Sequence, residues 1–548
     1  MNDQEHIELS RRDFITYGAA GVAASLTAGT LSASAADAES SGDAESRTGD
    51  GVKETTILEL QQSMASGERT ARFLTEAYLE RIEEIDSAGP SLNSVLALNP
   101  DALDIASALD RERQERGPRG ALHGIPVLLK DNLETGDRMA TTAGSLALAG
   151  SVAARDSFVA ERLRGAGCVL LGKANLSEWA NFRSSRSTSG WSGVGGQTRN
   201  PYALDRNPCG SSSGSGASVA ASLCAAAIGT ETDGSVVCPA NANGIVGIKP
   251  TLGLVSRAGI VPLAHSQDTA GTMGRTVADA TAMLTVIAGA DSRDDATAAS
   301  AQHPADFAAF LLQDGLQGAR LGVARNYTGF HEKCEALLED ALAAMRSAGA
   351  RVIDPIELPH RGDYGDAEYE VLLYEFKADL NNYLAQRPSV QVKSLADLID
   401  FNRSLADAEM PYFQQEVFEE AQEKGDLTEA PYQEALEKCK RLAGTEGIDA
   451  ALKKDGLDAI VAITGGPAWL TDLVIGDHFL GGCSQPAAVA GYPHVTVPMG
   501  YVFGLPVNIS FLSTAWSEPT LIRIAYAFEQ LTQHRQAPRF LQTVNLNA

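Results

Sequence analysis

The sequence has few cysteines and lacks several common catalytic motifs. Its seven cysteines among 548 residues are scattered, odd in number and never spaced as C-x-x-C, so neither a zinc site nor a disulfide framework is indicated. We expect buried structural thiols, because free cysteine packs as a small hydrophobe, and the sequence leaves any pairing open. It contains no H-E-x-x-H and no phosphate-binding P-loop. The sequence therefore predicts neither a metal nor a cofactor.

Basic residues are also scarce relative to acidic ones. Lys and Arg number 44 against 70 Asp and Glu, which gives a formal net charge of −26. Such a surface repels nucleic acid phosphates and anionic lipid headgroups, so neither is an expected partner. Hydrophobic residues make up 44% of the chain and charged residues 21%, proportions typical of a soluble protein with a large core. The oligomeric state stays open.

The first 36 residues have the features of an export signal. Ser10–Ile15 reads SRRDFI, which resembles the twin-arginine motif, and a weakly apolar run, Ile15–Leu31, follows it. Ala33–Ala35 supplies an A-x-A cleavage pattern. We predict a twin-arginine-type signal peptide at residues 1–36, a disordered linker at residues 37–53 and an exported protein, periplasmic or extracellular. The alternative is an apolar helix with a chance pair of arginines; a stable membrane span is not expected, because the run is too weakly apolar.

Beyond the linker, apolar periodicity predicts alternating helices and strands up to about residue 290. Residues 291–456 are more charged and mainly helical in pattern, and strands return after them. This alternation is typical of an α/β protein. The predicted helices begin at Thr56 and span Asp101–Arg116, Phe158–Ala166, Thr276–Ala288 and Pro519–Gln533, and the predicted strands are Leu92–Leu98, His123–Leu129, Cys168–Leu171, Ala459–Ile463 and His494–Pro498.

The most informative stretch runs from Pro208 to Thr251. A Gly/Ser-rich loop, Gly210–Gly216, precedes small residues that predict a tightly packed helix leading into a strand, Ala217–Ile228. A second turn, Gly229–Ser235, places a serine directly after a glycine. Glycine-rich turns let backbone N–H groups converge on one point, because no Cβ blocks the approach. Two such loops can place a serine nucleophile beside an oxyanion site.

Taken together, this stretch and motifs on both sides of it resemble the amidase signature family of serine hydrolases. The matching motifs are Gly124–Val127, Lys130-Asp131, Gly210–Ser212, Gly234-Ser235, Pro239-Ala240, Gly247–Thr251, Ser266–Thr269 and Arg275–Asp279. The resemblance implies an α/β fold over residues 54–548, with a mixed central β-sheet flanked by α-helices and a variable, cap-like helical region at residues 291–456. It also implies hydrolysis of a small-molecule or peptide amide at the carboxamide C–N bond.

The resemblance assigns roles to three side chains and one turn. Ser235 aligns with the acyl-forming nucleophile, Ser211 with the serine that bridges it to the base, and Lys130 with the lysine base. In the family a cis peptide bond precedes the bridging serine. A lysine base must be neutral, so desolvation has to lower the pKa of Lys130 from about 10.4 to roughly 7 to 8. The oxyanion hole aligns with the backbone N–H groups of Thr232, Asp233, Gly234 and Ser235.

The chain departs from the family pattern within this turn. A glycine is usual where this chain has Asp233, and an Asp/Arg ion pair that braces the turn is usual where it has Glu231 and Val237. The string at residues 230–236 looks most like the peptide amidase branch, which cleaves C-terminal carboxamides. We expect the charge of Asp233, close to the scissile bond, to influence substrate choice.

Several alternatives stay open at the level of sequence, as does the natural substrate. The same three residues fit an esterase or aryl-acylamidase; from another class, the chain fits an amidotransferase-type subunit that acts on a charged tRNA, or a non-catalytic binding protein. The export signal and acidic surface argue against tRNA, and the intact triad argues against binding alone. Gly210–Gly214 also satisfies G-x-S-x-G, but the polar residues before it do not form the strand that a nucleophile elbow needs. Lys249 is a competing base, for which we expect a structural role.

Overall fold

The computed structural model describes residues 51–304 and 306–546. The predicted signal peptide, and the predicted linker up to residue 50, lie outside these ranges. Val52, within the predicted linker, is fully buried, so the folded part begins slightly earlier than predicted. Within the described ranges, the helices are all too short or too polar to cross a bilayer.

An 11-stranded mixed sheet runs through the described residues, in the order β1-β3-β2-β6-β8-β7-β12-β13-β11-β9-β10. A separate two-stranded hairpin pairs β4 with β5. This mixed sheet, flanked by helices, confirms the predicted fold class. The strands are β1 (Val95–Leu98), β2 (Pro126–Lys130), β3 (Val169–Ala174), β4 (Trp191–Ser192), β5 (Gly196–Gln197), β6 (Ala226–Glu231), β7 (Val246–Lys249), β8 (Thr269–Gly274), β9 (Arg320–Ala324), β10 (Arg351–Ile356), β11 (Ala459–Ile463), β12 (His494–Val502) and β13 (Leu505–Leu512).

The helices begin and end close to the predicted bounds wherever the apolar periodicity was strong. Thr56 and Glu59 form a reciprocal capping box at the start of the first helix, which fixes its first turn. The α-helices are α1 (Ile57–Ser66), α2 (Ala71–Arg81), α3 (Ala102–Arg116), α4 (Phe158–Gly165), α5 (Ser213–Ala220), α6 (Val237–Ala242), α7 (Val277–Ile287), α8 (Glu332–Ser347), α9 (Gly365–Ala385), α10 (Leu395–Ser404), α11 (Ala406–Glu409), α12 (Glu416–Gln422), α13 (Ala430–Cys439), α14 (Asp449–Asp455), α15 (Gln485–Ala490) and α16 (Glu518–Thr532).

Strands β2 and β6 bring the two predicted catalytic segments to one edge of the sheet. Every residue of both strands is buried, as expected for parallel strands covered on both faces. They pair in parallel, with Val127 opposite Ala226 and Leu129 opposite Ile228. Lys130 and the turn after β6 therefore emerge side by side, at the carboxyl edge where α/β proteins bind ligands.

Helix α5 is shorter and begins earlier than predicted. The predicted loop Gly210–Gly216 already turns helical at Ser213, and the helix predicted within Ala217–Ile228 ends at Ala220. The helix packs against backbone: a Cβ at Gly214 would lie 2.2 Å from the carbonyl oxygen of Ser94. The small residues of this segment therefore allow close packing of a helix and do not form a flexible loop.

The region at residues 291–456 is not wholly a helical cap. Strands β9 and β10, with α8 between them, extend the main sheet, and only α9 to α13 build a helical layer with its own apolar clusters. The charged flanks of these short strands concealed their apolar centres, which is why composition alone predicted helix. Strands β4, β5, β7, β8 and β13 were also not predicted.

Candidate active site

Lys130 lies at the end of β2 with its amine enclosed by hydroxyl groups. Its Nζ is 2.7 Å from Ser211 Oγ, 2.8 Å from Thr230 Oγ1 and 3.3 Å from the Thr230 carbonyl oxygen. The residue is fully buried, and this burial lowers the pKa of Lys130 to about 7, although the charges of Asp268 and Glu231 act in the opposite direction. The structure thus brings Lys130 and Ser211 together as predicted.

Ser212 joins the loop that carries Ser211 to the loop that carries Ser235. Its backbone N–H donates to the Ser235 carbonyl over 3.2 Å, and its hydroxyl bonds both the carbonyl and the N–H of Thr230. The Gly210–Ser211 peptide is cis, as the family resemblance implied. The hydroxyl of Ser235 makes no hydrogen bond to any other residue in the described ranges, so it is free to meet a substrate.

The turn from Thr232 to Ser235 keeps its backbone donors unused. Within the described residues, the N–H groups of positions 232–235 donate no hydrogen bond, whereas the next two are held: Glu231 Oε2 accepts Val236 N at 2.7 Å and Val237 N at 3.0 Å. Glu231 therefore braces the turn through backbone groups, in place of the family's ion pair. Gly234 has φ +76°, a conformation that favours glycine.

Asp233 projects into a recess beside this turn. Its side chain is accessible to solvent but is surrounded by protein atoms, as expected for a residue in a recess of the surface. Ser484 hydrogen-bonds to it; burial and the nearby Glu368 carboxylate raise the pKa of Asp233 well above its usual range. Glu368 is held by Gln267 at 3.1 Å and by Gln485 at 2.7 Å. An acidic pair thus faces the space next to Ser235.

A disulfide bond links the two serine-bearing loops. Cys209, directly before Gly210, is bonded to Cys238, three residues after Ser235. The prediction of buried thiols is wrong for this pair and is confirmed for the other five, which are free and buried: Cys168, Cys224, Cys334, Cys439 and Cys483. Sequence spacing gave no sign of the pair, because the two residues meet only when α5 and β6 fold between them.

Lys249, the competing base, has different partners. It is fully buried at the end of β7, and it donates to the carbonyl oxygens of Ala487 (3.1 Å) and Tyr492 (2.5 Å). Burial lowers the pKa of Lys249 to about 8. Its contacts tie β7 to α15 and fit the structural role expected for it.

A narrow cavity of about 20 Å³ reaches the site from the side of Trp179. Thr230, Thr232 and Asp268 also line it, and Trp179 and Ala180 hold positive φ angles of 48° and 55° there. Asp268 accepts the Thr232 hydroxyl at 2.6 Å. The cavity therefore opens on the turn that ends at Ser235.

Comparison with known proteins agrees with this geometry. The sequence model of the Amidase family matches residues 73–522. The chain belongs to the amidase family. It is a hydrolase that acts on amide C–N bonds, and both its central turn and its similarity to solved peptide amidases support the peptide amidase branch.

Several relatives cover nearly the whole chain. The peptide amidase of Stenotrophomonas maltophilia is 51% identical, with a TM-score of 0.85 over 89% of this chain and 99% of that one; peptide amidase PAM with the competitive inhibitor chymostatin gives a TM-score of 0.87 at the same identity, over 89% and 100%. A probable amidase of Arabidopsis thaliana is 42% identical over 89% of this chain and 92% of its own. A glutamyl-tRNA(Gln) amidotransferase chain of Symbiobacterium thermophilum is 34% identical over 87% and 97%.

Sequence reasoning missed the residues that hold the site in place. Thr230 Oγ1 accepts hydrogen bonds from Lys130 Nζ and, at 2.9 Å, from Asn132 Nδ2. Gln267 and Asp268 bond Thr232; both stand inside a motif of the family, but nothing in that motif indicates which segment they contact. Glu368 comes from the variable helical region, whose composition carries no signal for a site.

Proposed function

We propose that this amidase is exported and hydrolyses C-terminal carboxamides of peptides through an acyl-enzyme on Ser235. The observation that carries the proposal is the buried contact of 2.7 Å between Lys130 Nζ and Ser211 Oγ, beside a turn with unused backbone N–H groups. Ser235 would be the nucleophile, Ser211 the relay and Lys130 the base.

The partners of Lys130 suit a neutral amine. A neutral lysine has two N–H donors and one lone pair; the donors match the two Thr230 acceptors, which leaves the lone pair facing Ser211 Oγ. With a pKa of about 7, the amine is largely neutral just above pH 7 and suited to general base catalysis.

Acylation follows from this arrangement. Ser235 Oγ attacks the carboxamide carbon while its proton passes to Ser211, whose own proton passes to Lys130. The protonated lysine returns a proton through Ser211 to the leaving nitrogen, and ammonia departs as the C–N bond breaks. Water then attacks the acyl-enzyme by the same relay and releases the peptide acid.

The oxyanion formed in both steps needs donors already in place. The N–H groups of Thr232, Asp233, Gly234 and Ser235 are the candidates, because the turn leaves them unpaired. Loss of one such donor typically costs about 100- to 1000-fold in rate. Gly234 allows the turn to place these groups close to the substrate.

The proposed preference for peptide amides rests on the similarity of this chain to solved peptide amidases and on the acidic recess at Asp233. The structures of similar sequence are described as peptide amidases. Asp233 and Glu368 beside Ser235 would disfavour a free carboxylate at the scissile end, because a third negative charge would force the pKa values of this pair, already raised by burial, higher still. The recess therefore suits a carboxamide substrate and the departure of an acid product.

Two other functions rank lower. An esterase or aryl-acylamidase would use the same residues, and only substrate tests separate it from a peptide amidase. The amidotransferase relatives are less similar, at 34% identity, and a net charge of −26 opposes tRNA binding.

Export is supported by the chemistry of the cysteines. The Cys209–Cys238 disulfide is a bond that persists in oxidising compartments and is rare in the cytosol. It agrees with the twin-arginine-type pattern at residues 1–36, since export would place the protein in an oxidising compartment.

Ammonia release from three amide classes tests the proposal. Purified protein and its Ser235→Ala variant are given peptide C-terminal amides, aliphatic amides and aryl amides. We expect release from peptide amides that the variant loses. Release only from the other amides would keep the triad and discard the peptide branch, and undiminished release by Ser235→Ala would refute the nucleophile.

A further inference from the structure

Helix α9 presents three carboxylates to three consecutive residues of the loop before β8. The carboxylates belong to Glu368, Glu375 and Asp379, which occupy positions i, i+7 and i+11 and therefore share one helix face. The contacts run in register: Asp379 Oδ2 accepts His265 N at 3.0 Å and its Nδ1 at 2.9 Å, Glu375 Oε2 accepts Ser266 N at 2.8 Å, and Glu368 Oε1 accepts Gln267 Nε2 at 3.1 Å.

The same loop holds Thr232, the first residue of the turn that ends at Ser235. Gln267 Nε2 donates to the Thr232 carbonyl at 3.2 Å, and Asp268 accepts the Thr232 hydroxyl at 2.6 Å. The other oxygen of Asp268 accepts two N–H groups of its own loop, those of Leu263 and Ala264. Displacement of the loop would therefore move Thr232.

His265 is the basic member of this contact. Its half-exposed ring lies between Asp379 and Glu375, with Nε2 3.4 Å from Glu375 Oε1. Tyr432 donates to that same Glu375 oxygen at 2.7 Å. The side chains of His265, Glu375 and Asp379 have the spacing of a cation site. N–H and O–H donors already use both Glu375 oxygens and Asp379 Oδ2, which favours a hydrogen-bonded ion-pair cluster.

Apolar packing brings α9 to this loop without fixing its register. Leu373, Phe376 and Leu380 on α9 belong to one cluster with Leu263 and Ala264. Apolar contact is non-directional, whereas the three acidic contacts specify one alignment of helix and loop.

We infer that His265, Glu375 and Asp379 are positioning residues that align Thr232 with the oxyanion site, so that the variable helical region controls kcat. This inference rests on the proposed role of the Thr232–Ser235 turn. A group that keeps donors aligned acts in the transition state, where a misplacement of about 1 Å can cost about 100-fold in rate.

The contact depends on pH through His265. The hydrogen bond with Asp379, together with the charges of Glu375 and Asp379, raises the pKa of His265, while burial and the nearby Arg257 oppose this. Arg257 donates to the His265 carbonyl and is itself paired with Asp294. Because the pKa of His265 is raised, the ion pair is present below that pKa as long as the carboxylates stay ionised, and it is lost as pH rises through the pKa of His265. The rate is expected to fall on the alkaline side.

The test compares kcat and KM across pH for wild type, His265→Ala and Asp379→Asn. His360→Ala is the matched control, because His360 pairs with Asp363 at 3.1 Å outside this network. Hydrogen exchange of residues 229–236 reports whether the turn loosens, through the hydrogen-bonded N–H groups of Thr230 and Val236 that flank it. Ser235→Ala is run in parallel.

We expect His265→Ala to lower kcat about tenfold or more with KM changed less than about twofold, the split expected for an interaction made in the transition state. It should also abolish the alkaline fall and speed exchange at residues 229–236. Asp379→Asn should shift the fall to lower pH, and His360→Ala should match wild type.

Two results would overturn the inference: wild-type kcat in His265→Ala at every pH, or a uniform loss of activity with unchanged exchange and an unchanged alkaline limb. Activity that survives Ser235→Ala would instead refute the proposed function, so the two failures are distinguishable.

Discussion

Lys130 and Lys249 both end apolar strands of one sheet, and both are fully buried, but their partners differ. Lys130 meets the hydroxyls of Ser211 and Thr230, whereas Lys249 meets two carbonyl oxygens. A hydroxyl can give a proton, and a carbonyl can only accept a hydrogen bond. Burial lowers the pKa of both, to about 7 and about 8. Burial is common to both lysines, so the proposed role of Lys130 as the base rests on its hydroxyl partner, which can deliver a proton.

Replacing each lysine by methionine gives the largest expected contrast. Lys130→Met removes the proposed proton acceptor and should lower kcat by about 1000-fold or more, as loss of a member of a catalytic triad does. Lys249→Met should retain most of the activity per folded molecule. Ammonia release is measured beside thermal unfolding, and equal losses in two folded variants would contradict the assignment.

The pH–rate profile sharpens the same comparison. As the proposed base, Lys130 must be neutral to act, so kcat/KM should rise about tenfold per pH unit below its pKa and stop rising near 7, before the alkaline fall expected from His265. Lys249→Met should leave this rising limb in place. A profile that stays flat across the pH range around 7 would argue against a lysine base.

The Cys209–Cys238 disulfide covalently links the two serine-bearing loops beside Lys130; the site of Lys249 has no such link among the described residues. Replacing Cys209 and Cys238 together by serine opens a link across 29 residues and should lower the free energy of unfolding by about 3 kcal/mol. Reductant should destabilise wild type but not the double variant. Cys334→Ala, which removes a free buried thiol, is the control, and insensitivity of wild type to reductant would contradict the structural role.

The sequence was most informative where chemistry and local pattern coincide. Motifs supplied the proposed triad of Lys130, Ser211 and Ser235, and apolar periodicity predicted β11, α4 and α7, which the structure confirms. The contacts that support the site could not be predicted from the sequence. Gln267–Thr232 and Glu368–Gln485, for example, join segments that no local pattern connects. The strands β9 and β10 were missed because charged flanks dominate their surroundings.

The smallest expected effect concerns Asp233, which lies near Lys249 and Glu368. Asp233→Gly restores the residue usual in the family and should change the ratio of kcat/KM between neutral and charged amides several-fold, because it removes one ionisable carboxyl group from the recess. A panel of such amides measures this ratio. Unchanged preferences would remove Asp233 from substrate selection.

The most direct test of the central claim is mass spectrometry of the enzyme quenched during turnover of a peptide amide. The account predicts an added acyl mass on the peptide that contains Ser235, absent from Ser235→Ala and also absent from Lys130→Met. An acyl group on another residue, or turnover by the Ser235→Ala variant, would contradict it.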